Sequence, residues 1–427
     1  MLKTLSDAWR IPELRKKMMF TMLMLVIFRL GAAIPVPYID TAAIKAAVEQ
    51  SQGGLLQFLD MMGGGNFSQF SIFATNIYPY ITASIVIQLL TVAFPKLGEL
   101  AKEGETGRKK IGKYTRYLAI ALAALQSFGY IFGVFSYAVN TNGEFLKNLV
   151  VMLSLVGGSS FLIWLGDIIT ERGIGNGISL LIFTGIVSRI PHSMINSVRL
   201  IGSGERNPTP YVIFVVLMLI VIAFVVRLQE GERRVSVQYA KRMVGRKMYG
   251  GQSTHIPIKV SMSGVMPVIF ANTIMSIPQT IAMFMKRGSA GQMWITKYLT
   301  PQGQVGVWIY TILSFFLILF FAYFYTAIQF NTVEYAKNLQ QNGGFIPGIR
   351  PGRPTSDYLS KIVSRITFVG GLSLAILASL PVVFEKVLGL GVSFTGTGII
   401  IMVGVAIETV KQLEAQMLMR HYKGFLS

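Results

Sequence analysis

Apolar runs long enough to cross a bilayer recur along this chain, and no other feature limits its fold so strongly. A transmembrane helix needs about 20 mainly apolar residues, within a range of about 17–25. Ten segments reach or approach that length: Met18–Ile34, Ser71–Phe94, Tyr117–Val139, Leu149–Ile169, Ile178–Ile190, Tyr211–Val226, Val265–Met285, Val305–Phe330, Ile362–Phe384 and Gly391–Val410. Lipid offers no hydrogen bonds, so each run must satisfy its own main chain and is read as a helix. Charged residues make up 14% of the chain and hydrophobic ones 52%, against roughly 25% charged in soluble domains. The expected class is an all-α membrane protein with ten transmembrane helices.

The basic residues orient these spans. Taking each loop with the span ends beside it, the N-terminus, the even-numbered loops and the C-terminus hold 29 of the 39 Lys and Arg, the odd-numbered loops hold nine, and Arg29 lies inside the first span. Short cytoplasmic loops are the ones enriched in Lys and Arg, so both termini are expected in the cytoplasm. Miscounting by one span would scramble this alternation. The first segment follows Arg10, Arg15, Lys16 and Lys17 but has 17 residues and leads into Pro35-Val36-Pro37 with no convincing cleavage site. A secretory signal core is about 7–15 residues, so this run is read as a retained span.

Five spans precede the polar stretch Pro191–Pro210 and five follow it. Halves with an odd number of spans have opposite topology, and such inverted pairs commonly place a pathway between them. The expected organisation is an N-terminal half over 1–192, an external hinge loop over 193–210, and a C-terminal half over 211–427 with cytoplasmic loops around 228–260 and 331–361. Between the first two spans, glycines bracket Leu55-Leu56-Gln57-Phe58-Leu59-Asp60-Met61-Met62. This stretch is too short to cross; it is either an amphipathic surface turn or a half-helix folded into a cavity lined by protein or water.

Signals for chemistry are sparse. With no cysteine, disulfides, thiolate nucleophiles and Cys-ligated metals are excluded. Gly107-Arg108-Lys109-Lys110-Ile111-Gly112-Lys113 approaches a phosphate loop, but Tyr114 stands where Ser or Thr should ligate magnesium, and no strand precedes it. Gly173-Ile174-Gly175-Asn176-Gly177 lacks dinucleotide spacing and reads as a tight turn. His192, His255 and His421 are far apart and lack metal-ligand spacing. Intramembrane charges mark ion pathways, yet Arg29, Asp167 and Glu408 sit only near span ends. Neither an enzyme nor a proton-coupled pump is expected, and no cofactor. A secondary transporter for a small solute remains the alternative, although it would need a polar midplane site.

The basic residues cluster in two cytoplasmic loops. Arg233, Arg234, Lys241, Arg242, Arg246 and Lys247 occupy one; Arg350 lies in the other, within Ile346-Pro347-Gly348-Ile349-Arg350-Pro351-Gly352. Such loops set topology or meet anionic lipid headgroups, but rigid Pro and Gly around Arg350 also suit docking on a partner.

Four passages then carry a family resemblance. Phe70–Leu90 (Phe-Ser-Ile-Phe-Ala-Thr-Asn-Ile-Tyr-Pro-Tyr-Ile-Thr-Ala-Ser), Trp164–Ser179 (Trp-Leu-Gly-Asp-Ile-Ile-Thr-Glu-Arg-Gly-Ile-Gly-Asn-Gly-Ile-Ser), Gly264–Ala271 and Pro347–Gly352 resemble, in order, signatures of the SecY family, and the ten-span pattern covers nearly the whole chain. The resemblance implies two inverted five-helix halves arranged as a clamshell around a central pore. It implies a protein-conducting channel that passes unfolded polypeptides and releases apolar segments sideways into lipid. By motif position, the pore ring would be Ile77, Ile81, Ile182, Ile269 and Ile401, the last resting on the looser match at Phe394-Thr395-Gly396-Thr397. Leu55, Leu56, Phe58, Leu59, Met61 and Met62 would belong to a plug around 55–65, and Thr82, Gln126 and Asn272 to a lateral gate. Arg242, Arg246, Lys247 and Arg350 would dock a SecA motor or a ribosome. The implied partners are further SecE and SecG, signal peptides, unfolded preproteins and anionic lipids, and the implied location is the bacterial plasma membrane.

Overall fold

The computed structural model describes residues 2–50, 60, 63–135, 138–139, 144–203, 208–239, 242–244, 247–249, 253–285, 288–300, 305–388 and 396–423. Each of the ten apolar segments falls on a helix. After α1 (Leu2–Arg10), the first span is α2 (Pro12–Ala32), followed by the short α3 (Thr41–Gln50). The next spans are α4 (Tyr78–Ala93), α6 (Glu105–Gly129), α7 (Phe145–Arg172) and α8 (Gly177–Gly202), with α5 (Pro95–Lys102) between the first two. The C-terminal half supplies α9 (Pro208–Glu230), α10 (Met266–Phe284), α12 (Gly306–Gln329), α14 (Arg353–Leu388) and α15 (Gly396–Lys423), with the shorter α11 (Ala290–Tyr298) and α13 (Thr332–Gln341) between spans. By length and hydropathy alone α7, α9, α12 and α14 could cross a bilayer; the others are shorter, bent, or charged at one end.

Local sequence explains the departures from uniform spans. The second span begins at Tyr78 rather than Ser71, because Phe70 and Asn76 take left-handed φ values of 42° and 54° and Ser71 bridges to Pro35. Its far end is set by Pro95: the residue before a proline is driven out of the helical region, Phe94 is extended at φ −109°, ψ 114°, and α5 leaves at 104° to α4. The third span ends in a π-turn over Tyr130–Val134, where Phe135 N donates to Tyr130 O. The polar stretch expected as a hinge loop is helical as far as Gly202, with Pro191 inside α8. The turn at Gly173–Gly177 forms as expected, with Gly175 at φ 82° and Asn176 capping α8 by accepting from Ser179 N.

Backbone segments approach closely where glycine leaves room. A Cβ on Gly158 of α7 would stand 1.8 Å from Ile72 O, and one on Gly177 would stand 2.0 Å from Gly166 O. Small residues at crossings of this kind let backbones touch in membranes, where burial from water supplies no drive between helices.

The two basic loops are not loops alone. Strands β1 (Glu232–Tyr239) and β4 (Ser253–Lys259) form an antiparallel ribbon with Val235 opposite Ile256. Strand β5 (Gly344–Phe345) adds to β1, Gln238 opposite Phe345, so the order is β4-β1-β5. Strands β2 (Arg242–Val244) and β3 (Lys247–Tyr249) pair separately. Val235, Val237, Ile258, Leu339, Ile346, Leu359, Ile362 and Val363 bury one another beneath the ribbon, joining both loops into one body.

Candidate channel constriction and gate

Ile77 caps the start of α4 and Ile81 lies in its first turn; Ile269 lies in the first turn of α10, and Ile182 and Ile401 in the second turns of α8 and α15. All five belong to one contiguous buried cluster, drawn from both halves of the chain, with Ile85, Ile186, Ile399 and Ile400 beside them. Their exposures run from 1% to 9%. The structure therefore brings together, on four helices, the five isoleucines that the sequence named. Chemically such a cluster offers no hydrogen bond to water or ions.

Around it the halves meet chiefly where α8 and α1 pack on α15, and where α10 packs on α4, α6 and the π-turn. On the α10 side the contact is close: a Cβ on Gly129 would stand 2.6 Å from the Phe284 ring. The three expected gate residues sit on these helices, Thr82 on α4, Gln126 on α6 and Asn272 on α10, with the two amides buried. Their hydrogen bonding differs from a mutual latch. The Thr82 hydroxyl donates back to Tyr78 O within its own helix, while Gln126 Oε1 and Asn272 Nδ2 are buried without a partner. The bond that crosses from α4 to α10 is one the sequence did not signal: Tyr78 Oη donates to Thr273 O at 3.3 Å.

The plug positions Leu55, Leu56, Phe58, Leu59, Met61 and Met62 lie outside the described residues. Asp60, between them, is described and 3% exposed. Its carboxylate pairs with Arg189 of α8 and accepts from Ser68 N at 2.6 Å. The sequence does not announce this pair: Asp60 lies in an apolar stretch and Arg189 at the end of the fifth apolar run.

Of the docking positions, Arg242 lies on β2 and Lys247 on β3, and Arg246 falls outside the described residues. Arg350 is exposed, its carbonyl accepting from the Thr355 hydroxyl at 2.9 Å, between Gly348 at φ 81° and Gly352 at φ 98°. The histidines make no site: among the described residues no three His, Asp or Glu side chains are grouped to hold a metal.

The fold is a bundle of apolar helices whose N- and C-terminal sets pack around a shared buried apolar cluster. A solved structure described as "The structure of a protein conducting channel" superposes with a TM-score of 0.68 at 19% identity, covering 96% of each chain. "Sec61 in the Canine ribosome-channel complex from the endoplasmic reticulum" gives 0.64 at 18%, again over 96% of each. In sequence, the SecY family pattern matches residues 71–410. Proteins named "Protein translocase subunit SecY" from Streptomyces scabiei and Corynebacterium glutamicum are 42% and 41% identical over all of both chains. The chain belongs to the SecY family of protein translocation channels. Nothing in these matches supports a solute transporter.

Proposed function

We propose that this chain forms the pore of a bacterial Sec translocase in the plasma membrane, with both termini cytoplasmic. The observation that carries the reading is the convergence of Ile77, Ile81, Ile182, Ile269 and Ile401 in one buried apolar cluster drawn from both halves. A narrow ring of isoleucines dewets when closed and so resists ion leakage. When a chain passes, the same groups fit many side chains without selecting a sequence. The halves open about the connection between α8 and α9, residues 55–65 act as the plug, and apolar segments leave between α4 and α10 with Thr82, Gln126 and Asn272 lining that exit.

With no phosphate-binding motif in the sequence, the driving energy comes from a partner: a SecA-type motor or a translating ribosome docked on Arg242, Arg246, Lys247 and Arg350. Small SecE and SecG subunits complete the assembly, signal peptides and unfolded preproteins enter it, and anionic lipids meet the basic loops. Ribosome docking draws support from the solved relative described as a ribosome-channel complex. The test is to stall a secretory chain in reconstituted channels carrying photoreactive probes at Ile77 and Ile269. Crosslinks from both positions to the stalled chain are expected. Their absence, with crosslinks instead from lipid-facing controls such as Ile220, would overturn the reading.

A further inference from the structure

Where α14 enters its apolar run, a polar recess opens between it and α12. One cavity of about 260 Å³ is lined by the hydroxyl residues Tyr323, Thr326, Thr332, Ser360, Ser364 and Thr367. A second of about 370 Å³ shares Ser360 and Ser364 with the first and adds Asp357, Lys361 and Arg365. Tyr323 Oη donates to Ser364 O at 3.3 Å, fastening the two helices beside the recess. Arg365 is the last charged residue before the uncharged stretch 366–384, so the recess stands at the edge of the span. On the membrane side of it both helices leave large apolar side chains exposed, Phe316 and Phe320 on α12 and Phe368 and Val369 on α14.

The charges in the recess are ordered. Asp357, Lys361 and Arg365 follow one another on one face of α14, at steps of about 6 Å along the axis. Going outward from the membrane the order is cation, cation, anion. All three are exposed, and among the described residues none has an ion pair, although Asp357 and Lys361 are spaced for one. A basic cluster that only sets topology gives no reason for the outermost carboxylate. A purely anionic headgroup would bring that carboxylate no counter-charge, and a trimethylated ammonium has no N–H to give it. An ethanolamine phospholipid carries its charges in the complementary order, with the phosphate beside the glycerol and a primary ammonium beyond it.

We propose that this recess binds one phospholipid with a primary-ammonium headgroup. Its phosphate accepts from Lys361 and Arg365, its ammonium donates to the Asp357 carboxylate, and its acyl chains lie along Phe316, Phe320 and Phe368. The inference rests on α12 and α14 being spans of the proposed channel. A docked amphipathic helix would need a hydrophobic groove for its apolar face, whereas this recess is polar at its head and apolar only along the membrane side.

The test reconstitutes the complete translocase in phosphatidylcholine nanodiscs with a trace of phosphatidylethanolamine carrying a photoreactive acyl chain, and maps labelled peptides by mass spectrometry. Labelling of α12 and α14 should exceed that of the lipid-facing control around Ile220 on α9, and unlabelled phosphatidylethanolamine should compete better than phosphatidylglycerol. Asp357→Asn should lower this labelling about fivefold, and Lys361→Gln combined with Arg365→Gln should lower it at least as much. With photoreactive phosphatidylglycerol, Asp357→Asn should instead raise the labelling, because a repelling carboxylate is gone. Labelling no stronger than at Ile220, a wild-type preference for phosphatidylglycerol, undiminished labelling in Asp357→Asn, or a small subunit's helix crosslinked across the recess would each overturn the site. Stalled-chain crosslinks at Ile77 and Ile269 in the same Asp357→Asn translocase keep the two readings apart. Their persistence without selective lipid labelling would sink the lipid site and leave the channel, and the reverse pattern would sink the channel and leave the site.

Discussion

The hydroxyl of Tyr78, at the start of α4, donates to the main-chain oxygen of Thr273 on α10, so a buried hydrogen bond crosses the seam between these two helices. Hydrogen bonds between membrane helices contribute about 0.6 kcal/mol on average and up to about 1.7. A link of that size keeps a seam closed yet yields to an arriving apolar helix. Tyr78→Phe removes the donor and little else, and is expected to favour opening by about three- to twentyfold. The measurement is membrane insertion of a marginally apolar segment, which should rise. Asn272→Leu should act oppositely: it removes a buried Nδ2 without a partner, a group that costs about 1–3 kcal/mol to leave unsatisfied, and so tightens the seam.

Polar substitution in the proposed constriction should make the resting channel conduct. An asparagine at Ile81 or Ile269 gives water a partner where the cluster now offers none, which weakens the dewetting barrier. Conductance across planar bilayers is the readout. Unchanged values in both variants would remove these positions from the ring.

Gly158→Ala probes packing rather than gating. Its Cβ would sit 1.8 Å from Ile72 O, a main-chain atom unable to swing aside. The residues just before α4 would have to move away from α7, and overpacking of this sort costs about 1–3 kcal/mol. Midpoint temperature of the purified protein in detergent should fall. Gly157→Ala, with open space around its position, should leave it nearly unchanged.

Much of this architecture is legible in the sequence because lipid imposes few options. All ten apolar runs became helices, and the five isoleucines found through family motifs share one cluster. What escaped was information carried by contacts rather than by composition. The ribbon of β1 and β4 left a faint trace, since Val235 and Val237 alternate with exposed neighbours, the period of a half-buried strand; their setting in a basic stretch obscured it. The helical continuation of α8 past Pro191 runs against a polar composition that alone reads as loop. The Asp60–Arg189 pair joins residues far apart in the chain, one in an apolar stretch and one at a span end, and no local pattern announces such a pair. Tyr78 likewise reads as one more aromatic residue until Thr273 is brought beside it.

Arg350 carries the firmest expectation about partners. Its backbone is fixed: Gly348 and Gly352 take positive φ values, the Thr355 hydroxyl holds its carbonyl, and the neighbouring β5 is paired to β1. Ile346 is buried under the ribbon while the Arg350 side chain is exposed, so the loop presents a guanidinium on a rigid support. A guanidinium offers a planar fork of donors that a lysine ammonium does not reproduce. If a motor docks there, Arg350→Lys should reduce motor-driven secretion several-fold and Arg350→Glu nearly abolish it, because a carboxylate would then face the partner's acceptors. Neither change should alter thermal stability much, since the guanidinium is exposed and among the described residues none pairs with it. Were Arg350 only one positive charge among several setting topology, both variants would secrete normally. Secretion by reconstituted vesicles, measured beside motor affinity for the same vesicles at equal channel content, separates the two. Normal values of both in Arg350→Glu would rule out docking at this residue.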